Sequence, residues 1–205
     1  MISINLLKKV VPEVLEEKLE KLSELENVFK EENKKVNLVS RKDIDFLFEH
    51  HILHSLVICK LFDFKNIRTV VDVGTGGGFP GLPISIFFDN ISFTLLDSKR
   101  KKINSIGNII NKLSIKNVSL VCDRVENIES KFDIVLGRGV CCVDRFYKIT
   151  SHLLNDTGKI IYLNGVNDKI IVDKNIKVKY FNINEILDID FYSEKQVVLI
   201  EKLKL

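Results

Sequence analysis

Residues 70–83 read "VVDVGTGGGFPGLP", a β-branched run that ends in an acid and opens into glycines at 74, 76, 77, 78 and 81. So many residues without a Cβ let the main chain enter left-handed conformations and approach a bound group closely. Pro80 and Pro83 fit the first turn of a following helix, where a missing N–H costs nothing. Strand, glycine turn and helix in that order form the first unit of a doubly wound sheet, whose ligand crevice lies beyond the carboxyl ends of its strands. After Arg68 the chain keeps the same rhythm. Short β-branched runs ("SFTLLD", "NVSLVC", "FDIVLG", "GKIIYLN") alternate with helical patterns, notably Lys101 to Leu113 and Val143 to Leu154. Such alternation predicts parallel βαβ units covered on both faces. Two further runs, "IKVKYFNI" and "KQVVLIE", predict an antiparallel edge. The expected fold class is α/β: a doubly wound, mostly parallel, seven-stranded Rossmann-like sheet.

Before this sheet the texture is helical. Val11, Leu15, Leu19, Leu22, Val28 and Phe29 recur at helical spacing against a face rich in Glu and Lys. "VNLVS" at 36–40 breaks that period, and Asp43 stands where it would cap a helix through "IDFLFEHHILHSLVICKLF". The expected organisation is an N-terminal helical extension, residues 1–66, packed on a core of residues 67–205. With 205 residues, 45% hydrophobic and 29% charged, the chain has material for one substantial core and reads as an ordinary globular protein. No run approaches the ~20 apolar residues of a membrane helix, and the first residues lack the plan of a signal peptide, so the cytoplasm is expected and a membrane is not. Cys59, Cys122, Cys141 and Cys142 lack CxxC spacing and read as buried reduced thiols, with Cys141 and Cys142 as apolar filling. The net charge of +3 is too small to identify a nucleic-acid partner.

The glycine turn admits several ligands, and counting separates them. A phosphate-gripping P-loop needs GxxxxGK[ST]; from Gly76 the second glycine is Gly81, but Leu82 follows where lysine belongs. GxGxxG for a dinucleotide fails from Gly74, which meets Phe79, and fits from Gly76 only by leaving two extra residues after the strand. What remains is Asp72 closing the strand, then Gly74, Gly76 and Gly78 in a GxGxG array, the pattern typical of S-adenosylmethionine (AdoMet) methyltransferases. AdoMet has no pyrophosphate; it needs close backbone approach and donors near a helix start. Asp97, at the end of "FTLLD", stands where a carboxylate takes both ribose hydroxyls. A tight turn and a capped helix would use the same residues without any ligand.

With these residues in place the chain closely resembles the bacterial 16S rRNA guanine-N7 methyltransferases of the RsmG (GidB) type, which have the class I methyltransferase fold. "NLVS" at 37–40, "HILHSL" at 51–56, "DVGTGGGFPGLP" at 72–83, "LLDS" with "KKI" at 95–103, "RVE" at 124–126 and "GRGV" at 137–140 carry the resemblance, in order, from about residue 33 to about residue 165. It implies AdoMet-dependent methylation of guanine 527 in 16S rRNA, with the rRNA or the small ribosomal subunit as partner and a monomeric enzyme. It implies cofactor contacts at Gly74 and Phe79, at Asp97 for the ribose and at the backbone of Val125 and Glu126 for adenine, with Arg138 shared between cofactor and target. Arg124 is implied as an RNA-side or site-shaping arginine. The chain departs from the family at His50 in place of Arg, His54 in place of Asp and Asn164 in place of Lys, and a helix expected after Gly165 is weak.

Guanine N7 carries a free lone pair, so its methylation needs alignment more than a base, and alignment contributes about 7–11 kcal/mol in well-ordered cases. Arg138, Arg124 and His51 are the candidates for that work, since arginine reads the O6 and N7 edge of guanine. His50, His51 and His54 share a helical segment, but His51 occupies the Glu position of HExxH and no further ligand cluster follows, so no metal is expected. Lys99, Arg100, Lys101 and Lys102 put basic charge at a helix start, against the dipole, which points to RNA phosphate as readily as to a solvated face. Lys34, Lys35, Arg41 and Lys42 extend such a surface. An AdoMet enzyme with another RNA, protein or small-molecule target, an NAD-binding oxidoreductase and a cofactor-binding protein without turnover remain the alternatives.

Overall fold

A computed structural model describes residues 3–12, 15–170 and 175–203. Two helices lead: α1 (Ile4–Val10) and α2 (Glu16–Lys35). In α2, Glu16 and Glu17 open and Lys34 and Lys35 close, charges that complement the helix dipole, while Leu22, Leu25 and Phe29 turn inward. Asn33 Oδ1 ends it by accepting from the N–H groups of Leu38 and Val39 (2.8 and 2.9 Å). A 3₁₀ turn at Ile44–Phe46, a wider π-type stretch at Phe48–Leu53 and α3 (His54–Leu61) then form one run. Asp43 does not cap it; its side chain is drawn to two histidines instead.

The sheet consists of β1 (Thr69–Val73), β2 (Ser92–Leu96), β3 (Val118–Val121), β4 (Phe132–Arg138), β5 (Leu154–Gly165), β6 (Ile176–Asn182) and β7 (Lys195–Lys202), in the order β3-β2-β1-β4-β5-β7-β6. β3 through β5 pair in parallel; β7 runs antiparallel, inserted between β5 and β6. The connecting helices are α4 (Gly81–Ser85), α5 (Arg100–Lys112), α6 (Val143–Thr150) and the short α7 (Asn184–Leu187). The fold is the seven-stranded, mostly parallel class I methyltransferase arrangement. Among residues 166–170, where the family resemblance predicts the start of a helix, none is helical, and residues 171–174 lie outside the described residues.

Strand alternation assigns the faces. Val70 of β1, Ile134 and Leu136 of β4, and Ile161 and Leu163 of β5 pack with α1–α5 in one large cluster, which runs unbroken across residue 66. Val71, Val73, Val135, Ile160 and Tyr162 pack on the other face with Val143 and Phe146 of α6. Parity therefore puts Asp72 over α4 and sends Arg138 toward the N-terminal helices. The thiols are free, but only partly buried at 59, 122 and 141, and Cys142 is exposed as it precedes α6, so it is not apolar filling. No helix among the described residues is long and apolar enough to cross a membrane.

Candidate active site

The strand order reverses between β1 and β4, and the candidate site lies beyond their carboxyl ends. Gly74, Gly76 and Gly78 all have positive φ (+69°, +60° and +91°). At Gly74 a Cβ would also fall 2.8 Å from Val140 Cγ2, so both conformation and space demand glycine. Two carboxylates tie the turn down. Asp72, fully buried, accepts through Oδ2 from Thr75 Oγ1 (2.6 Å) and from the Gly81 N–H (2.9 Å), while its Oδ1 has no partner. Burial pushes its pKa up to about 6, against the lowering effect of those two bonds. Asp97 accepts from the Gly76 N–H through Oδ2 (2.9 Å) and from the Lys99 N–H through Oδ1 (2.8 Å), which joins the ends of β1 and β2.

Between these strand ends lies a cavity of about 250 Å³, lined by Gly74, Asp97, Arg124, Val125, Glu126 and Val140 among others. Asp72 is not part of its lining; its carboxylate is committed to the turn. Phe79, 2% exposed, turns its ring away, against Phe29 of α2 (5.1 Å between centroids) and His51 (5.2 Å). Lys99, Arg100 and Lys101 are exposed at the start of α5, and Lys102 is half-buried beside Gly76. Arg124 is exposed, and among the described residues it forms no ion pair with Glu126.

A second cavity, about 380 Å³, lies beyond the ends of β4 and β5, lined by Asp43, His51, His54, Arg138, Asn164 and Phe191 among others. The two arginines thus stand apart: Arg124 on the first cavity, Arg138 on the second. Arg138 donates from Nη2 to His51 Nδ1 (2.7 Å) and from Nη1 to the His50 carbonyl (3.2 Å), and its guanidinium lies 5.2 Å from the Phe79 ring centre. Because Nδ1 accepts, the proton of neutral His51 is on Nε2, which donates to Asp43 Oδ2 (2.5 Å). Asp43 Oδ1 lies 2.5 Å from His50 Nδ1. Burial, then the Arg138 charge, pushes His51 down to about 4 despite Asp43; burial also lowers Arg138, to about 10, which leaves it cationic at neutral pH. Asp43 is raised by burial, but the two histidine bonds outweigh this and hold it below the usual carboxylate range. His54 is driven well below the ordinary histidine range by burial, and its Nε2 has no partner.

Sequence reading missed the parts that hold this cavity. Tyr162 accepts at its hydroxyl from the N–H groups of Val140 (2.8 Å) and Cys141 (3.1 Å) and donates to the Cys141 carbonyl (2.6 Å), fixing the turn after Arg138. A tyrosine inside the apolar run 160–163 of an internal strand was the available signal, because its hydroxyl must find a partner. Phe191, Tyr192 and Lys195 offer no local signal. Among the described residues no group of three His, Cys, Asp or Glu side chains is placed to hold a metal ion.

Sheet order, positive-φ glycine turn and acidic strand ends together define a class I, Rossmann-like methyltransferase. The comparisons narrow this. Residues 18–200 match the family model described as rRNA small subunit methyltransferase G, and the chain belongs to that family. It is 35% identical to the ribosomal RNA small subunit methyltransferase G of Christiangramia forsetii, over 96% of each chain, and 38% identical to that of Porphyromonas gingivalis, over 73% of this chain and 68% of the relative. Among solved structures it resembles an S-adenosylmethionine-dependent methyltransferase from Aquifex aeolicus (TM-score 0.59, 15% identity, 80% of this chain and all of that one). It also resembles a mutant of MtNAS in complex with S-adenosylmethionine (TM-score 0.58, 13% identity, 87% and 73%). These likenesses bear on the fold, and family membership selects the rRNA methyltransferase reading over the oxidoreductase one.

Proposed function

We propose that this protein methylates N7 of guanine 527 in 16S rRNA, using S-adenosylmethionine, as a cytoplasmic monomer without a metal. The observation that carries the target reading is the locked set Arg138–His51–Asp43, a fixed cation whose partner histidine has both ring nitrogens engaged, at the cavity beyond the ends of β4 and β5. The first cavity is the one offered to the cofactor. Gly74 is a cradle that any Cβ would fill, Asp97 ends β2 with a carboxylate for paired hydroxyls, and Val125 with Glu126 forms the rim where adenine would lie.

S-adenosylmethionine supplies an electrophilic methyl group on a sulfonium. Guanine N7 needs no deprotonation to accept it, and His51 is not placed to remove a proton: its lone pair is taken by Arg138 and its N–H by Asp43. His51 is accordingly a positioning residue. Arg138 retains three of its five N–H donors for guanine O6 or a phosphate, leaving N7 free to react. Arg124, on the other cavity, and the run Lys99 to Lys102 meet the RNA backbone rather than the base.

The test is transfer of labelled methyl to small ribosomal subunits from cells lacking N7-guanine methylation, followed by mapping. Label at one guanine N7 is the expected result. Label elsewhere, or none while S-adenosylmethionine binds, overturns the target assignment.

A further inference from the structure

Phe46 lies in the 3₁₀ turn between the two features that an RNA substrate would have to span, and the residue is 52% exposed. A lone exposed phenylalanine is ordinary; this one is the outer member of a stack. Its inner face lies over the His50 ring (4.8 Å, 14°), His50 lies over Phe191 (3.6 Å, 5°), and Lys195 Nζ stands 4.3 Å from the centre of Phe191. Asp43 fixes His50 in plane through Nδ1. Asp43, His50, Phe191 and Lys195 all line the cavity of Arg138, so the wall of that cavity ends outward in a supported aromatic face.

On its other side the same segment borders a groove of about 940 Å³, lined by Lys34, Arg41, Ile44 and Asp45 among others. Lys30 and Lys35 in that groove are neutralised by Glu26 and Glu32. Among the described residues Lys34, Arg41 and Asp45 form no ion pair, so two cations against one carboxylate leave a net positive charge for phosphate in the groove beside the Phe46 segment.

We propose that the exposed face of Phe46 is a stacking platform for an RNA base that flanks the target guanine. The inference rests on the rRNA methylation reading. In A-form duplex RNA the N7 edge lies in a groove too deep and narrow for side chains, so the target must be unpaired or turned out, which leaves neighbouring bases unstacked. An aromatic ring accepts any base, and loss of one such platform weakens single-strand binding about tenfold.

The test compares wild type, Phe46→Ala, Phe46→Leu and Phe46→Trp with unmethylated small subunits and with protein-free 16S rRNA. Expected for Phe46→Ala is a rise of about tenfold in KM for the subunit with kcat little changed, and a similar loss of affinity for the free rRNA. Phe46→Trp restores both, whereas Phe46→Leu, apolar but without a π face, does not. The ratio of wild type to Phe46→Ala stays constant as salt is raised, whereas Lys34→Ala and Arg41→Ala each flatten the salt slope by about 0.7. S-adenosylmethionine binding, measured separately, is unchanged in every variant and reports folding. Equal KM in wild type and Phe46→Ala, or full rescue by Phe46→Leu, overturns the platform while the methylation reading stands. A defect confined to assembled subunits overturns it in favour of a ribosomal protein contact. A wild type that methylates no guanine N7 removes the reading on which both depend.

Discussion

Arg138 and His51 share a hydrogen bond of 2.7 Å between Nη2 and Nδ1, and that bond sets the tautomer of the imidazole and so its hold on Asp43. Both side chains come from opposite sides of residue 66, so the bond also ties the helical layer to the end of β4. Removing Arg138 leaves His51 Nδ1 unpaired and takes away the second largest cause of its low pKa. Arg138→Ala is expected to lower methylation by about 10²-fold through misplacement, and to move the His51 titration upward from about 4. Arg138→Lys keeps the charge but not the planar fork and recovers little. Methyl-transfer rates and histidine titration by NMR check both; an unchanged His51 pKa in Arg138→Ala would sink the account.

Gly74 and Val140 meet where β1 gives way to the turn. Gly74→Ala meets a positive φ and a Cβ contact of 2.8 Å, and the strain costs about 1–3 kcal/mol. The expected outcome is weaker S-adenosylmethionine binding and a lower melting temperature. Adding Val140→Ala removes the contact but not the φ, so the double variant recovers part of the loss. Calorimetric titration of the single and double variants reads the split; full recovery would mean that backbone conformation plays no part.

Tyr162→Phe deletes one oxygen and leaves two N–H groups and a carbonyl of the turn at 140–141 without their partner. A loss of about 1–3 kcal/mol in stability is expected, together with weaker cofactor binding, because Val140 lines the first cavity. Chemical denaturation checks the first and ligand titration the second. A variant as stable as wild type would show that water replaces the hydroxyl.

How much of this is legible in the sequence depends on how far apart the cooperating residues lie. The sheet is legible because each strand and helix carries its own period, the glycine turn because its conformational demand sits in one short stretch, and Asp97 because an acid ends a strand of its own. Asp43 is misread as a cap, since its side chain is claimed by His50 and His51 only once the π-type stretch turns both toward it. Arg124 and Arg138 read as partners in one role, yet they line separate cavities because one follows β3 and the other ends β4. The stack of Phe46, His50 and Phe191 joins residues from opposite ends of the chain, and no local pattern announces it.

Asp72 and His51 have opposite effects on acid stability. His51 has a folded pKa of about 4 against an ordinary 6.5, so between those values the unfolded chain binds more protons and stability falls as pH drops. Asp72 has a folded pKa of about 6 against 3.8, so in nearly the same window the folded protein binds more protons and stability falls as pH rises. At about 1.4 kcal/mol per pH unit, each amounts to about 3 kcal/mol over the window, and the two largely cancel. Replacing one should expose the other. Asp72→Asn keeps an acceptor for Thr75 and Gly81 and abolishes the titration; its melting temperature is expected to fall more steeply than that of wild type from pH 6 to pH 4. His51→Gln is expected to fall less steeply, or to rise. Thermal melts of the three proteins across that range decide it, and parallel curves would show that neither group titrates where its burial places it.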